Sequence, residues 1–352
     1  MIYMRVKLGD VCERGSSNLK QSDVAENNGD YEIYGASGLI GKVDFFHQDK
    51  PYIAVVKDGA GIGRTMLLPE KSSVIGTMQY LLPNEKVLPR YLYYVVRYMH
   101  LEKYFTGATI PHIYFKDYKN EEFNLCDLSE QEKIISSLST IESIITHHRT
   151  QLEKLDELIK ARFVEMFGNP VLNEKGWKCK RLLDMGSCKN GMNFHYDDSG
   201  IEINCLGVGD FKDFSTINDT SLLPVVSLNE MPSEEYLLKN DDIVFVRSNG
   251  NKALVGRSVA VYPNDTPTTF SGFCIRYRLQ DTSVSVPYLL RVLKSDDMRM
   301  KMAGRGANIQ NLNQQILGTL IIPVPSIELQ NQFADFVKQI DKSKFIEKEV
   351  SQ

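Results

Sequence analysis

Cysteine is scarce and scattered in this 352-residue chain: six residues (Cys12, Cys126, Cys179, Cys188, Cys205 and Cys274), with no Cys-x-x-Cys pair. The spacing excludes an ordinary thiolate metal site, so the expectation is free thiols in a reducing cytoplasm and no bound metal. Long apolar runs are absent too. None reaches the roughly 18–20 residues that span a bilayer, and MIYMRVKLGD has neither the charged nor the apolar region of a signal peptide, so no membrane association is expected. Nor is there an excess of positive charge. Forty-one Lys and Arg face 45 Asp and Glu, for a net charge of −4. Residues 1–127 hold 15 basic against 16 acidic side chains, and residues 171–325 hold 17 against 17. That balance excludes a polycationic surface but not a nucleic-acid face built from a few local basic residues. What remains is the composition of a globular protein, 42% hydrophobic and 24% charged, long enough for two domains.

Catalytic signatures are missing as well. There is no G-x-x-x-x-G-K-[ST], no H-E-x-x-H and no G-x-S-x-G. The one Asn-Pro, Asn169-Pro170, is followed by Val and not by the Pro and aromatic residue expected of a DNA amino-methyltransferase. Pro69-Glu70-Lys71 lacks a suitably placed preceding carboxylate and reads as a turn. The glycine-rich stretch VVKDGAGIGR (55–64) raises the alternative of an enzyme binding S-adenosylmethionine or a nucleotide. A phosphate-cradling loop, however, should lead into a helix N-terminus, whereas Thr65–Pro69 reads as a strand and a turn. The expectation is a non-catalytic chain without cofactor.

The strongest positive signal is a helix over 129–168. Ser129 with Glu132 forms a capping-box pattern, and Gly168-Asn169-Pro170 ends the helix. Alternating spacings of four and three select Ile134, Leu138, Ile141, Ile145, Leu152, Leu155, Ile159 and Met166 as a coiled-coil seam, with His148 and Arg162 as polar interruptions. About 39 residues at ~1.5 Å each give a rod near 58 Å, too long for one element of a compact domain.

The flanks of that helix repeat one another. YMRVKLGD (3–10) matches WKCKRLLD (177–184), and YIAVVKDG (52–59) matches DIVFVRSNG (242–250). Ile62–Thr65 matches Val255–Ser258, and LPRYLYYVV (88–96) matches VPYLLRVL (286–293). TGATIPHI (106–113) matches GRGANIQNL (304–312), and LSEQEKIISSL (128–138) matches SIELQNQFADFV (326–337). The order is constant while the offset grows from 174 to about 199, so the second copy carries roughly 25 extra residues, mostly between 185 and 242. Each copy reads as α+β. Strands are expected at 52–56, 78–82, 243–246 and 273–279, and helices at 89–99 and 287–298, each led by a proline.

This arrangement resembles the specificity (S) subunit of Type I restriction–modification systems, through the KLGD start, YGASGLIGKVDFF, DGAGIGR, TGATIPHI, GRGANIQNLN, LSEQEKI and PSIELQNQFA. The resemblance implies target-recognition domains at 1–128 and 169–325, a long spacer helix at 129–168 and a shorter one at 326–352, the helices pairing antiparallel. It implies a non-catalytic subunit that reads a bipartite site in double-stranded DNA. It would direct methyltransferase subunits, two of them, to that site, and restriction subunits through them. S-adenosylmethionine, ATP and Mg²⁺ would belong to those partners. The second helix departs from the pattern, with about 25 residues from Ser326 to the last residue.

Base reading needs donors and acceptors in loops, so the candidates are loop residues at equivalent places in the two copies. They are Lys57, Arg64, Thr109 and His112 in the first, and Arg247, Asn249, Asn251, Lys252, Arg257, Arg305, Asn308 and Gln310 in the second. Asn and Gly in "RSNGNK" suit a polar hairpin turn equally well. Met298–Met302 with Arg305 offers a basic cluster for phosphates or a solvated helix face. Trp177 reads as an anchor at the start of the second copy.

Overall fold

The computed structural model describes residues 3–25, 29–107, 111–194, 199–211, 216–303 and 311–350. The chain divides into two units, Met1–His147 and His148–Gln352.

In the first unit, Met4–Lys7 pairs antiparallel with Glu122–Leu125. An antiparallel sheet runs in the order Cys12–Ser16, Met78–Pro83, Tyr52–Val56, Thr65–Leu68. A smaller sheet holds Gly38–Val43, Tyr31–Gly35 and Ser73–Val74. All five residues of Tyr52–Val56 are buried, because the strand is covered on both faces. Its alternation sorts the side chains: Ile53 and Val55 join the core beneath the helix Pro89–Tyr98, while Tyr52, Ala54 and Val56 pack with Val74, Met78 and Tyr80. The helix begins at Pro89, whose fixed φ suits the first turn.

The second unit repeats the plan. Lys178–Arg181 pairs antiparallel with Ile321–Val324. The main sheet runs Gly186–Asn190, Cys274–Leu279, Asp242–Val246, Ser258–Val261, Thr216–Ile217, and a small sheet holds Val225–Leu228, Ile201–Leu206 and Thr268–Phe270. Ile243 and Phe245 face the core of the helix Val286–Lys294, and Val244 and Val246 face the other side. The extra length falls where the offset places it. In sequence, residues 207–224 separate Leu206 from Val225 where the first unit has the two-residue turn Ala36-Ser37, and Thr216–Ile217, from that insertion, forms a parallel edge strand on Ser258–Val261.

The 287–298 helix expected from sequence is two helices, Val286–Lys294 and Asp296–Ala303. Ser295 divides them. It is extended (φ −65°, ψ 145°), its hydroxyl donates to the Val292 carbonyl, and that oxygen accepts from the Met298 amide at 3.4 Å. Met298 and Met302 are core residues, so the basic cluster reduces to the side chains between them.

The long helix spans Leu128–Phe167 and ends at Gly168, whose φ of +74° a residue with a side chain adopts only under strain. Its cap differs from the expectation. Asp127, not Ser129, is the N-cap, its carboxylate accepting from the Glu130 amide at 3.0 Å. Both residues have capping chemistry, and Leu128 already lies inside the helix. Trp177 donates its indole N–H to the Phe167 carbonyl at 3.0 Å, anchoring the chain where the second sheet begins.

The seam is uneven. Ile134, Leu138, Leu152, Leu155 and Met166 are half-buried and Ile159 is buried, but Ile141 and Ile145 are exposed. Near the C-terminal end the buried face passes through Phe163 and Phe167, one residue beyond the heptad positions Arg162 and Met166. Both rings pack against Tyr288 and Phe333 at centroid distances of 4.8–5.8 Å, edge-to-face in all but the Phe163–Tyr288 pair. Phe333 belongs to the helix Ile327–Val350, capped by Ser326. That helix runs antiparallel to the end of the long helix, since Phe333 meets Phe163 and Phe167 while Lys344 Nζ reaches Asp156 at 2.6 Å.

Each helix start is bolted to its own sheet by one buried glutamine. Gln131 accepts from the Leu88 amide (2.9 Å) and donates to the carbonyls of Lys86 (3.0 Å) and Cys126 (2.9 Å). Gln330 accepts from the Ser285 amide (2.8 Å) and donates to the carbonyls of Ser283 (3.0 Å) and Pro325 (2.9 Å). Leu88 and Ser285 are the N-caps of the two proline-led helices, so the bonds are the same three in both units.

Candidate nucleic-acid interface

VVKDGAGIGR is a hairpin. Tyr52–Val56 pairs with Thr65–Leu68, and the loop closes by Val56 N–H to Arg64 O (2.9 Å) and Gly63 N–H to Val56 O (2.9 Å). The second unit closes its longer loop identically, Val246 N–H to Arg257 O (2.9 Å) and Gly256 N–H to Val246 O (2.9 Å). Gly63 and Gly256 sit at φ +80° and +79°, the left-handed region that glycine adopts freely. No helix follows either loop directly, which removes the basis for a phosphate cradle.

A second segment locks onto each hairpin. Lys57 donates its amide to Thr77 O and accepts from the Ile113 amide; Arg247 donates to Phe273 O and accepts from the Leu312 amide. Bridges join Asp58 to His112 in one unit and Ser248 to Asn311 in the other. One backbone frame therefore presents Lys57, Asp58, Thr77 and His112 in the first unit and Arg247, Ser248, Phe273 and Asn311 in the second.

The side chains on that frame differ in chemistry. In the first unit the Asp58 carboxylate sits between two nitrogens, 2.7 Å from His112 Nδ1 and 3.7 Å from Lys57 Nζ. The His112 ring stacks on exposed Tyr114 at 6.3 Å. In the second unit Arg247 donates from Nη1 to the Gly272 carbonyl at 3.3 Å, beside Phe273, which is 62% exposed. Asn249 and Asn251 accept from the amides two residues ahead (2.7 and 3.1 Å), the Asx turns that set the loop. Arg299 grips the same loop through the Ala253 carbonyl at 2.9 Å.

Arg64 and Arg257 lie apart from these tips. Each guanidinium donates to a carbonyl beyond the small sheet, Arg64 to Ala36 (2.9 Å) and Arg257 to Phe211 (3.5 Å). Thr109, Arg305, Asn308 and Gln310 lie outside the described residues, as does the side chain of Lys252. Sequence reasoning missed Asp58, Thr77, Tyr114, Phe273 and Asn311. The aromatic in "PHIYF", two residues from His112, and that in "SGFC", after Gly272, were the available signal.

Three of the thiols are chemically quiet. Burial pushes Cys12, Cys188 and Cys205 up to about 12, far from the range of a reactive thiolate. Among the described residues, no three His, Cys, Asp or Glu side chains cluster so as to hold a metal ion, and no helix is long and apolar enough to cross a membrane.

Residues 3–157 and 174–352 each match the model of the Type I restriction modification DNA specificity domain. The chain belongs to that family. It is a specificity subunit of a Type I system, the non-catalytic component that supplies DNA recognition. The specificity subunit of the MjaVIII enzyme of Methanocaldococcus jannaschii is 24% identical over 314 residues, which are 82% of this chain and 72% of that protein. That of the StySPI enzyme of Salmonella potsdam is 25% identical over 66% of this chain and 53% of its own length. The fold is that of the S subunit from M. genitalium (TM-score 0.60, 17% identity, 99% of this chain and 92% of that one). A chain from a study of complex assembly and conformational transition in the type I system gives a TM-score of 0.55 at 14% identity, covering 99% of this chain and 93% of that one. With the family established and the glycine loop closing a hairpin, the S-adenosylmethionine or nucleotide enzyme is not favoured.

Proposed function

We propose that each unit reads one half of a bipartite sequence in double-stranded DNA through the loop cluster at the end of its main sheet. The carrying observation is the shared backbone frame with exchanged side chains: Lys57, Asp58 and His112 on one copy, Arg247, Ser248 and Asn311 on the other. A constant frame fixes where a side chain meets a base edge, and the side chain decides which base. An arginine fork suits guanine and an Asn amide suits adenine. Arg64 and Arg257 act as positioning residues, tying hairpin to small sheet.

In this reading residues 1–128 and 169–325 are the recognition domains, and 129–168 with 326–352 form the antiparallel spacer that sets the unread gap. The exposed Ile141 and Ile145 support a role for the spacer in docking methyltransferase subunits, two per chain, with restriction subunits joining through them. Such an assembly works in the cytoplasm, and the free cysteines fit that compartment. The chain itself carries no cofactor in this reading.

The test is selection from random duplex DNA with the chain in complex with its methyltransferase. A two-part motif with a fixed gap is expected, and Arg247→Ala should relax one part only. Recovery of an uninterrupted motif, or equal loss at both parts, overturns the reading.

A further inference from the structure

In the second unit the turn after Thr268–Phe270 places two phenylalanines in opposite surroundings. Phe270 is fully buried, whereas Phe273 is 62% exposed and belongs to neither hydrophobic cluster of its unit. The backbone beneath that exposed ring is nevertheless held firmly. The Phe273 amide donates to Ser271 Oγ at 3.3 Å, and the Gly272 amide donates to the Met192 carbonyl at 2.6 Å. A Cβ on Gly272 would lie 2.1 Å from Asn193 Oδ1 and 3.1 Å from the Met192 carbonyl oxygen, so the turn packs closely on that segment. The ring therefore stands at a fixed place, and that place is beside Arg247. The Phe273 carbonyl accepts the Arg247 amide at 2.7 Å, one step beyond the register pair Val246–Cys274, and Arg247 Nη1 donates to the Gly272 carbonyl. In the first unit the same step beyond Val56–Met78 brings exposed Thr77 opposite Lys57.

We propose that Phe273 reads a thymine, through its C5-methyl group, at the base pair next to the guanine that Arg247 takes. The inference rests on the reading of this loop cluster as a base-reading surface. A phenyl ring has neither donor nor acceptor, so it is blind to the hydrogen-bonding pattern of a base edge. The apolar feature that the major groove offers it is the thymine methyl. Spacing decides which base pair is met. Residues directly opposed across an antiparallel pair hold their Cβ atoms about 4.5–5.5 Å apart, on the order of the ~3.4 Å step between base pairs. The Gly272 carbonyl takes one guanidinium N–H and so orients the arginine fork beside the ring. Guanidinium and ring then cover adjacent base pairs. Thr77, at the same place in the first unit, also carries a methyl group, so apolar chemistry recurs at this position of the frame.

The test uses the full chain in complex with its methyltransferase. Selection from random duplex DNA locates the position that Arg247→Ala relaxes, and a thymine is expected at an adjoining base pair. Deoxyuridine in place of that thymidine removes the methyl group and nothing else. In the unaltered chain, where no folding defect enters, the exchange should weaken binding about fourfold in fluorescence anisotropy, the effect of burying one methyl group. Phe273→Ala should abolish the difference between thymidine and deoxyuridine and relax selection at that position, with the other half of the motif unchanged. Absence of thymine beside the Arg247 position, equal affinity for the two duplexes, or an undiminished difference in Phe273→Ala overturns the proposal, while a two-part motif in the same selection still upholds the reading of the cluster. Recovery of no two-part motif removes both.

Discussion

The two loop clusters share the backbone bonds that close the hairpin and hold the second segment against it, and almost no side-chain chemistry. In the first, charge is gathered inward: Asp58 holds His112 and Lys57, and the hairpin tip is short. In the second the loop is longer and self-supported by Asx turns, with Arg247 next to an exposed phenyl ring. In the proposed reading the backbone is shared between the copies because it carries a side chain to a fixed place. The tips diverge because nothing in the core constrains them. The helices show the converse asymmetry. The joint at the start is the same in both units, but one turn on, the second helix packs Phe333 among aromatic rings where the first packs Ile134 against its own core.

That asymmetry is the easiest to break. Phe163→Ala removes a ring buried against Phe167, Tyr288 and Phe333 and should cost about 3–5 kcal/mol in the second unit. Ile134→Ala, half-buried against the first, should cost about 1–2 kcal/mol. Calorimetry with two resolved transitions would show each change confined to its own unit. Next come the paired glutamines. Gln131→Ala and Gln330→Ala each orphan an amide and two carbonyls, so each should lower the stability of its own unit by about 2–3 kcal/mol in chemical denaturation. Unequal losses would show that the joints are not equivalent.

Smaller effects belong to the loops. Asp58→Ala releases His112 and Lys57 and should weaken one half of the site by about 1–3 kcal/mol, seen as relaxed selection at that half alone. Inserting one heptad after Leu152 leaves the pairing of Asp156 with Lys344 intact. It lengthens the helix by about 10 Å, or about three base pairs of gap. An unchanged gap in the selected sequences would remove the long helix from the role of ruler.

Much of the fold was legible because it is written twice. Six short matches in one order located both copies, the helix between them and, between 185 and 242, most of the extra residues. What escaped depended on choices that local pattern leaves open. Asp127 and Ser129 are both good caps, and only the position of the first turn decides between them. The heptad count chose Arg162 and Met166 where the structure buries Phe163 and Phe167, since the register follows the aromatic rings it has to cover. Ser295 breaks an apolar run that otherwise reads as one helix. The interface was the least legible. Asp58 meets His112 across 54 residues, and no spacing rule brings such partners together.

Gln131 and Gln330 hydrogen-bond to main-chain groups, an amide and two carbonyls at each joint. Main-chain atoms are the same whatever the sequence, so the joint is indifferent to the side chains of the domain it holds. A domain with different loops and a different target could be spliced onto the same helix start and find the same three partners waiting. The bolt that fixes each reader in place is also what makes readers interchangeable.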